Sequence, residues 1–129
     1  MTRTRALLIA AITPPLLMAC AGGADTAYIE AQDARMIQSK ASVGDIVLCL
    51  KQRLKDDATV VAYPEPGKVD VRVGDGSRSD TRYYYLINLR QAAQGTSVAL
   101  RTSGEWHPMM SANRVAGIIE DCKPGTARR

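Results

Sequence analysis

A repeating pattern of apolar residues begins one position after Ser42 and continues to about Asp56. Its spacing of three and four residues predicts a helix with one apolar face, formed by Val43, Ile46, Val47, Leu50 and Leu54. Ser42 and Asp45 match a capping box, in which the serine oxygen accepts a hydrogen bond from an amide of the first turn. Cys49 falls at the edge of the apolar face, where it can meet a neighbouring element.

Four segments with the composition of strands follow, separated by Gly, Pro and Asp residues that favour turns. They cover residues 58–63, 68–73, 82–89 and 96–102. The second alternates strictly between charged residues and valines, which is typical of a half-buried antiparallel strand. In the third, the same alternation predicts that Tyr83 and Tyr85 lie on one face and Tyr84 on the other.

A second helix is predicted from Pro108 to a stop at Pro124-Gly125, with an apolar stripe made of Val115, Ile118, Ile119 and Cys122. The order helix, four strands, helix predicts a single α+β domain over residues 42–124. We expect a four-stranded antiparallel meander, flanked in sequence by two helices that pack on one of its faces. Residues 125–129 are expected to form a disordered tail.

The N-terminus has the organisation of a secretory signal, with Arg3 and Arg5 before an apolar stretch over residues 6–18. Thirteen residues rise about 20 Å as a helix, which is too short to cross a hydrocarbon core of roughly 30 Å. The sequence Leu17-Met18-Ala19-Cys20 resembles the lipobox of bacterial lipoprotein precursors. An ordinary cleaved signal or an uncleaved anchor is the alternative.

The lipobox resemblance implies that residues 1–19 are a cleaved signal peptide and that Cys20 carries acyl chains such as palmitate. These chains would attach the protein to the cell envelope. Ala21 and Gly22 stand where an aspartate would resemble a retention signal for the inner membrane of enteric bacteria. The expected location is therefore the outer membrane, with the domain facing the periplasm. Residues 20–41 are expected to be a lipidated tether, in which residues 28–38 could form a short helix.

Export implies an oxidising compartment, in which the remaining cysteines, Cys49 and Cys122, would form one disulfide. Two separately buried thiols are the alternative. Removal of the signal leaves 15 basic and 13 acidic residues, because Arg3 and Arg5 are lost from the 17 basic residues of the whole chain. The only basic run left is Arg128-Arg129, so the sequence gives no support for a nucleic-acid partner.

The residues offer little support for catalysis. His107 is the only histidine, so it cannot form the usual zinc or iron sites, and no nucleophile-elbow pattern surrounds Ser103 or Ser111. Residues 75–80 place oxygen donors at alternate positions but lack the terminal glutamate of a calcium loop. We therefore predict no catalytic residue, no metal site and no cofactor.

The tyrosines are expected mainly to pack, with Tyr83 and Tyr85 under the helices and Tyr84 over the open face of the sheet. The alternative is an interaction surface with Arg82, Tyr84, Arg90 and Trp106 as its candidate residues, because aromatic and arginine side chains are typical anchors for binding partners. The predicted function is a lipid-anchored, non-enzymatic envelope protein that binds a protein partner. A carrier of a small ligand or lipid is the alternative, suggested by the aliphatic lining and by Met109-Met110. A hydrolase would rest on His107 alone. The order of elements is similar to that of the helix-grip domains of BamC-type lipoproteins, which also function at the outer membrane.

Overall fold

The computed structural model describes residues 23–74, 82–105, 107 and 109–125. Three helices are present among these residues: α1 (Thr26–Glu30), α2 (Val43–Leu54) and α3 (Ala112–Asp121). A single 3₁₀ turn (Lys55–Asp57) follows α2. The strands are β1 (Arg35–Ser39), β2 (Ala58–Ala62), β3 (Lys68–Val73), β4 (Tyr85–Gln91) and β5 (Thr96–Thr102). The protein is thus an α+β protein.

The strands form one antiparallel sheet in the order β1-β5-β4-β3-β2. Strands β2 to β5 form the predicted meander, but the sheet has five strands, and the prediction of four was wrong. The additional strand, β1, lies in the segment that was expected to be a tether, and it pairs with β5 so that Ile37 faces Val98. Ile37 is the one buried residue of β1. With a single buried position, β1 has almost no apolar periodicity that would identify it as a strand. Its pairing with β5 stabilises it instead.

The helix suggested for residues 28–38 is also corrected by the structure. Within that segment only residues 28–30 are helical, as the end of α1, and residues 35–38 belong to β1. Asp25 caps α1 by accepting a hydrogen bond from the Tyr28 amide at 2.8 Å. The predicted start of the last helix, Pro108, lies outside the described residues. Helix α3 begins after Ser111, whose hydroxyl oxygen accepts from the Arg114 amide at 3.1 Å.

Helix α2 begins with the capping box that the sequence predicts. The Ser42 hydroxyl oxygen accepts from the Asp45 amide at 3.1 Å, and the Asp45 carboxylate accepts from the Ser42 amide at 3.3 Å. The same carboxylate accepts from the Gly125 amide at 3.1 Å, so the buried Asp45 also ties the start of α2 to the segment after α3.

The main core lies between α2, α3 and one face of the sheet. Its fully buried members include Ile46, Leu50, Val71, Ile87, Leu89, Val98, Val115 and Ile119. A disulfide joins Cys49 of α2 to Cys122 at the end of α3, with 5.8 Å between their Cα atoms. The predicted pairing is therefore present in the structure. It closes a loop with a sequence separation of 73 residues and fixes the two helices to each other.

The opposite face of the sheet, which we call the second face, is partly covered by α1. Ile29 of α1 and Leu86 of β4 are both buried but do not belong to the main core. Leu86 points away from its neighbours Tyr85 and Ile87 because successive side chains of a strand alternate between faces. Helix α1 contacts β4 and β5, so a small apolar cluster supports one part of a face on which most other residues of β3, β4 and β5 are polar.

The regular alternation predicted for the tyrosines ends at Tyr84. Strand β4 begins at Tyr85, not at residue 82, and the chain bends at Tyr84. Tyr84 and Tyr85 consequently both join the main core, whereas Tyr83 forms an isolated bridge with Ala24. The Tyr84 amide donates to the Val73 carbonyl at 2.7 Å, and the Tyr84 carbonyl accepts from the Ser103 amide at 2.8 Å.

Candidate functional site

An open groove of about 350 Å³ lies on the second face of the sheet. It is lined by Glu30, Tyr63, Lys68, Asp70, Asn88, Arg90, Ala99 and Arg101. Most of these residues come from β3, β4 and β5, at the positions that alternate with the residues of the main core. The strand register places Asp70 opposite Asn88 and Asn88 opposite Ala99, so the polar pair from β3 and β4 lies beside a small residue of β5.

Asp70 is the centre of the groove and is only 2% exposed. Its carboxylate accepts hydrogen bonds from the Tyr63 hydroxyl at 2.5 Å, from Asn88 Nδ2 at 2.8 Å and from Arg90 Nη1 at 3.0 Å. Burial alone would raise the pKa of Asp70, but the hydrogen bonds from Asn88, Tyr63 and Arg90 outweigh it and hold the pKa below its ordinary value. The groove therefore has a fixed negative charge at its base.

The network continues across the sheet to the segment that follows α1. Asn88, which donates to Asp70, accepts from Arg101 Nη1 through its Oδ1 atom. Arg101 Nε also donates to the carbonyl oxygen of Gln32 at 3.1 Å. Asp70, Asn88 and Arg101 thus form a chain of charge-assisted hydrogen bonds, and this chain holds the base of the groove in one arrangement.

Tyr63 provides the aromatic wall of the groove, with two cations over its ring. Lys68 Nζ lies 4.6 Å and the Arg90 guanidinium carbon 5.6 Å from the ring centroid. Lys68 also forms an ion pair with Glu65 at 3.4 Å. The hydrogen bond to Asp70 raises the pKa of Tyr63, so its hydroxyl group remains a donor well above neutral pH.

A second groove of about 410 Å³ lies at the start of α2 and is lined by Lys40, Ser42, Val43, Gly44, Gly67, Gln91, Ala92, Ala93 and Gly95. At the start of α2 the capping box already provides hydrogen-bond acceptors for the backbone amides, and the Asp45 carboxylate supplies negative charge. Its other walls are mainly small residues. We therefore regard the groove on the second face, with its convergent charged and aromatic side chains, as the candidate functional site.

Of the four predicted interaction residues, the structure describes Arg82, Tyr84 and Arg90, which lie in different surroundings. Arg90 lies in the groove, but Tyr84 is buried in the main core, which corrects the prediction that it covers an exposed face. Arg82 is exposed and donates to the Gly23 carbonyl at 3.2 Å. Trp106 lies outside the described residues, as does Cys20.

Sequence reasoning missed most of the groove. The strict alternation of β3 places Asp70 on the polar face, and this signal could have identified it. The positions of Tyr63, Asn88 and Arg101 beside Asp70 depend on the strand register, which the periodicity of single strands does not determine.

His107 and the two nearby serines have structural contacts. The His107 ring packs edge-on against Tyr84, with 4.8 Å between centroids, and its Nδ1 atom accepts from the Met109 amide at 3.1 Å. Ser111 caps α3, and the Ser103 hydroxyl accepts from the Glu105 amide at 3.3 Å. Met110 packs in the main core, whereas Met109 is 75% exposed.

Within the described ranges, no group of three or more His, Cys, Asp or Glu side chains is placed to hold a metal ion. Residues 75–80, whose oxygen donors have a spacing similar to that of a calcium loop, lie outside those ranges. None of the described helices has the length and apolar character needed to cross a bilayer. Comparison of the chain with protein-family models, with curated proteins and with solved structures finds no match.

Proposed function

We propose that the protein is a lipid-anchored protein of the cell envelope whose domain binds a protein partner in the groove on the second face. The lipobox-like sequence that ends at Cys20 supports the anchor. The disulfide between Cys49 and Cys122 agrees with export to an oxidising compartment. The proposed location is the outer membrane, with the domain in the periplasm. The proposed function involves no catalysis and no cofactor.

The observation that carries the binding role is the ordered constellation around Asp70. Its donors and acceptors are held by neighbours within the protein, so little side-chain entropy would be lost when a partner binds. The groove combines an aromatic ring, that of Tyr63, with the side chains of Arg90 and Arg101, a combination typical of binding hot spots. This arrangement supports recognition of a protein surface over chemistry on a small substrate.

The charge of the groove indicates what the partner should present. Lys68, Arg90 and Arg101 outnumber the acids Glu30 and Asp70. Asp70 is enclosed by its donors, so the outward-facing charge of the groove is mainly positive. We propose that the partner contributes an acidic side chain at this position, with polar groups around it.

Photocrosslinking in intact cells tests this role. A photoreactive residue is placed at position 99, in the groove, and a control is placed at position 53, on the exposed surface of α2. We expect a discrete adduct with a protein partner only from position 99. The charge reversal Lys68→Glu should abolish this adduct, whereas Arg53→Glu, the same change on α2, should leave it intact. Equal background labelling from both positions would overturn the proposed role of the groove.

A further inference from the structure

The outer edge of the sheet at β2 lacks the residues that usually prevent an edge strand from pairing. Strand β2 lies at one end of the strand order, and no further strand pairs with it in the part of the chain that the structure describes. Its sequence, Ala-Thr-Val-Val-Ala, contains no charge and no proline. Charged residues, prolines and bulges are the usual devices that keep sheet edges from pairing. By contrast, the other edge strand, β1, carries Arg35, whose guanidinium donates to Asn113 of α3 at 3.0 Å.

The hydrogen bonds between β2 and β3 determine which backbone groups of β2 point outward. The Tyr63 amide donates to the Lys68 carbonyl at 3.2 Å, and the Gly74 amide donates to the Asp57 carbonyl at 2.9 Å. Because hydrogen-bonded pairs alternate along an antiparallel ladder, the amides and carbonyls of residues 58, 60 and 62 face away from β3. At Ala58 the amide donates to the Lys55 carbonyl, and the carbonyl accepts from Lys51 Nζ at 2.8 Å. These contacts lie at one end of the edge, and the outward groups of Val60 and Ala62 lie beyond them.

We infer that β2 pairs with β2 of a second copy of this chain, antiparallel about a two-fold axis through Val60. In this register each Val60 exchanges two backbone hydrogen bonds with its symmetry mate, and each Ala62 amide donates to the Ala58 carbonyl of the other copy. Thr59 then lies opposite Val61, and pairs of β-branched residues stabilise neighbouring strands. Val60 is 37% exposed and is the side chain that this contact would cover.

The charges at the two ends of β2 favour the same pairing. Asp56 and Asp57 precede β2, and Tyr63 directly follows it. Lys68 lies over the ring of Tyr63. The two-fold register brings Asp57 of each copy opposite Tyr63 of the other, where it meets the charge of Lys68. Since both ends are used, this complementarity occurs twice. The inference does not depend on the partner proposed for the groove.

Cysteine crosslinking of the full chain tests the register. Opposed residues of a hydrogen-bonded antiparallel pair have Cα atoms about 5.5 Å apart, a distance that a disulfide can span. Val60→Cys should therefore give a disulfide-linked dimer under mild oxidation. Met36→Cys, on the other edge strand and 60% exposed, should not. The unsubstituted chain controls for Cys20, Cys49 and Cys122. Equal crosslinking of Val60→Cys and Met36→Cys, or none from Val60→Cys, would overturn the inference.

Sedimentation of the full chain over a range of concentrations provides a second measurement, with circular dichroism to verify folding. Val60→Lys places two like charges opposite each other at the axis and should weaken self-association by at least about tenfold. Met36→Lys makes the same change on β1 and should leave self-association unchanged. A wild-type chain that is monomeric at every concentration would contradict the inferred dimer.

Discussion

The Tyr63 hydroxyl donates to Asp70 Oδ2 at 2.5 Å, and this bond joins the residue after edge strand β2 to the buried base of the groove. Asn88 and Arg90 complete the donors around the same carboxylate. The candidate binding site is thus part of the structure of the sheet. Substitutions at its base should affect stability as well as binding.

Asp70→Asn should lower the free energy of unfolding at neutral pH by about 2 kcal/mol, because the amide removes the negative charge that three donors satisfy. The pKa of Asp70 is lowered in the folded protein. The contribution of the carboxylate is therefore complete above the ordinary carboxyl pKa of about 4 and is lost as the pH falls through the lowered pKa. Denaturant unfolding of both proteins from neutral to acidic pH measures this.

The difference in stability between wild type and Asp70→Asn should close at the acidic end of that series. Asp33→Asn is a suitable control because Asp33 is exposed, and this change should alter stability by no more than about 0.5 kcal/mol. A difference between wild type and Asp70→Asn that stays constant over the whole pH range would contradict the proposed role of the carboxylate.

The disulfide should account for a large share of the stability. Closure of a loop with a 73-residue separation contributes about 4 kcal/mol in the chain-entropy model. Reduction of the folded protein should lower the free energy of unfolding by up to this amount, as measured by denaturant unfolding with and without reductant. The double variant Cys49→Ala, Cys122→Ala should be insensitive to reductant. If reduction leaves the unfolding midpoint of the wild type unchanged, the disulfide does not stabilise the fold as described.

Gly95 should be intolerant of any side chain. It adopts a positive φ of 83°, and a Cβ atom there would overlap the Ser39 carbonyl oxygen and crowd the Lys40 backbone. Gly95→Ala should therefore lower the free energy of unfolding by at least about 3 kcal/mol. Gly104 has a similar φ of 79° but has no neighbouring atoms within 4 Å of the added Cβ.

Gly104→Ala is consequently a matched control that isolates backbone strain, with an expected loss of about 1 kcal/mol. Thermal or denaturant unfolding of the two variants separates strain from steric overlap. Equal losses in both variants would mean that the close approach of the β4–β5 turn to the end of β1 is not present.

The parts of the fold that the sequence predicts are those with strong local signals. Strands β3 and β5 match their predicted bounds, and the capping box at Ser42 is confirmed. The disulfide could be predicted because the expected export of the chain and the expected lipidation of Cys20 leave Cys49 and Cys122 as the single pairing.

The missed features depend on tertiary contacts. Strand β1 has a single buried residue, Ile37, and becomes a strand through pairing with β5. Tyr84 is buried because the chain bends before β4, and period-two alternation does not predict a bend. For the same reason the groove was only partly predicted: Arg90 was named, but its neighbours follow from the strand register.

The most direct test of the proposed envelope lipoprotein is the intact mass of the protein extracted from membranes, with and without reduction, beside a Cys20→Ser variant. We predict a chain that begins at Cys20 and carries acyl chains, and this modification should be absent from the variant. Reduction should add the mass of two hydrogen atoms as the Cys49–Cys122 bond opens. An unmodified chain of 129 residues with free thiols would contradict both the anchor and the envelope location.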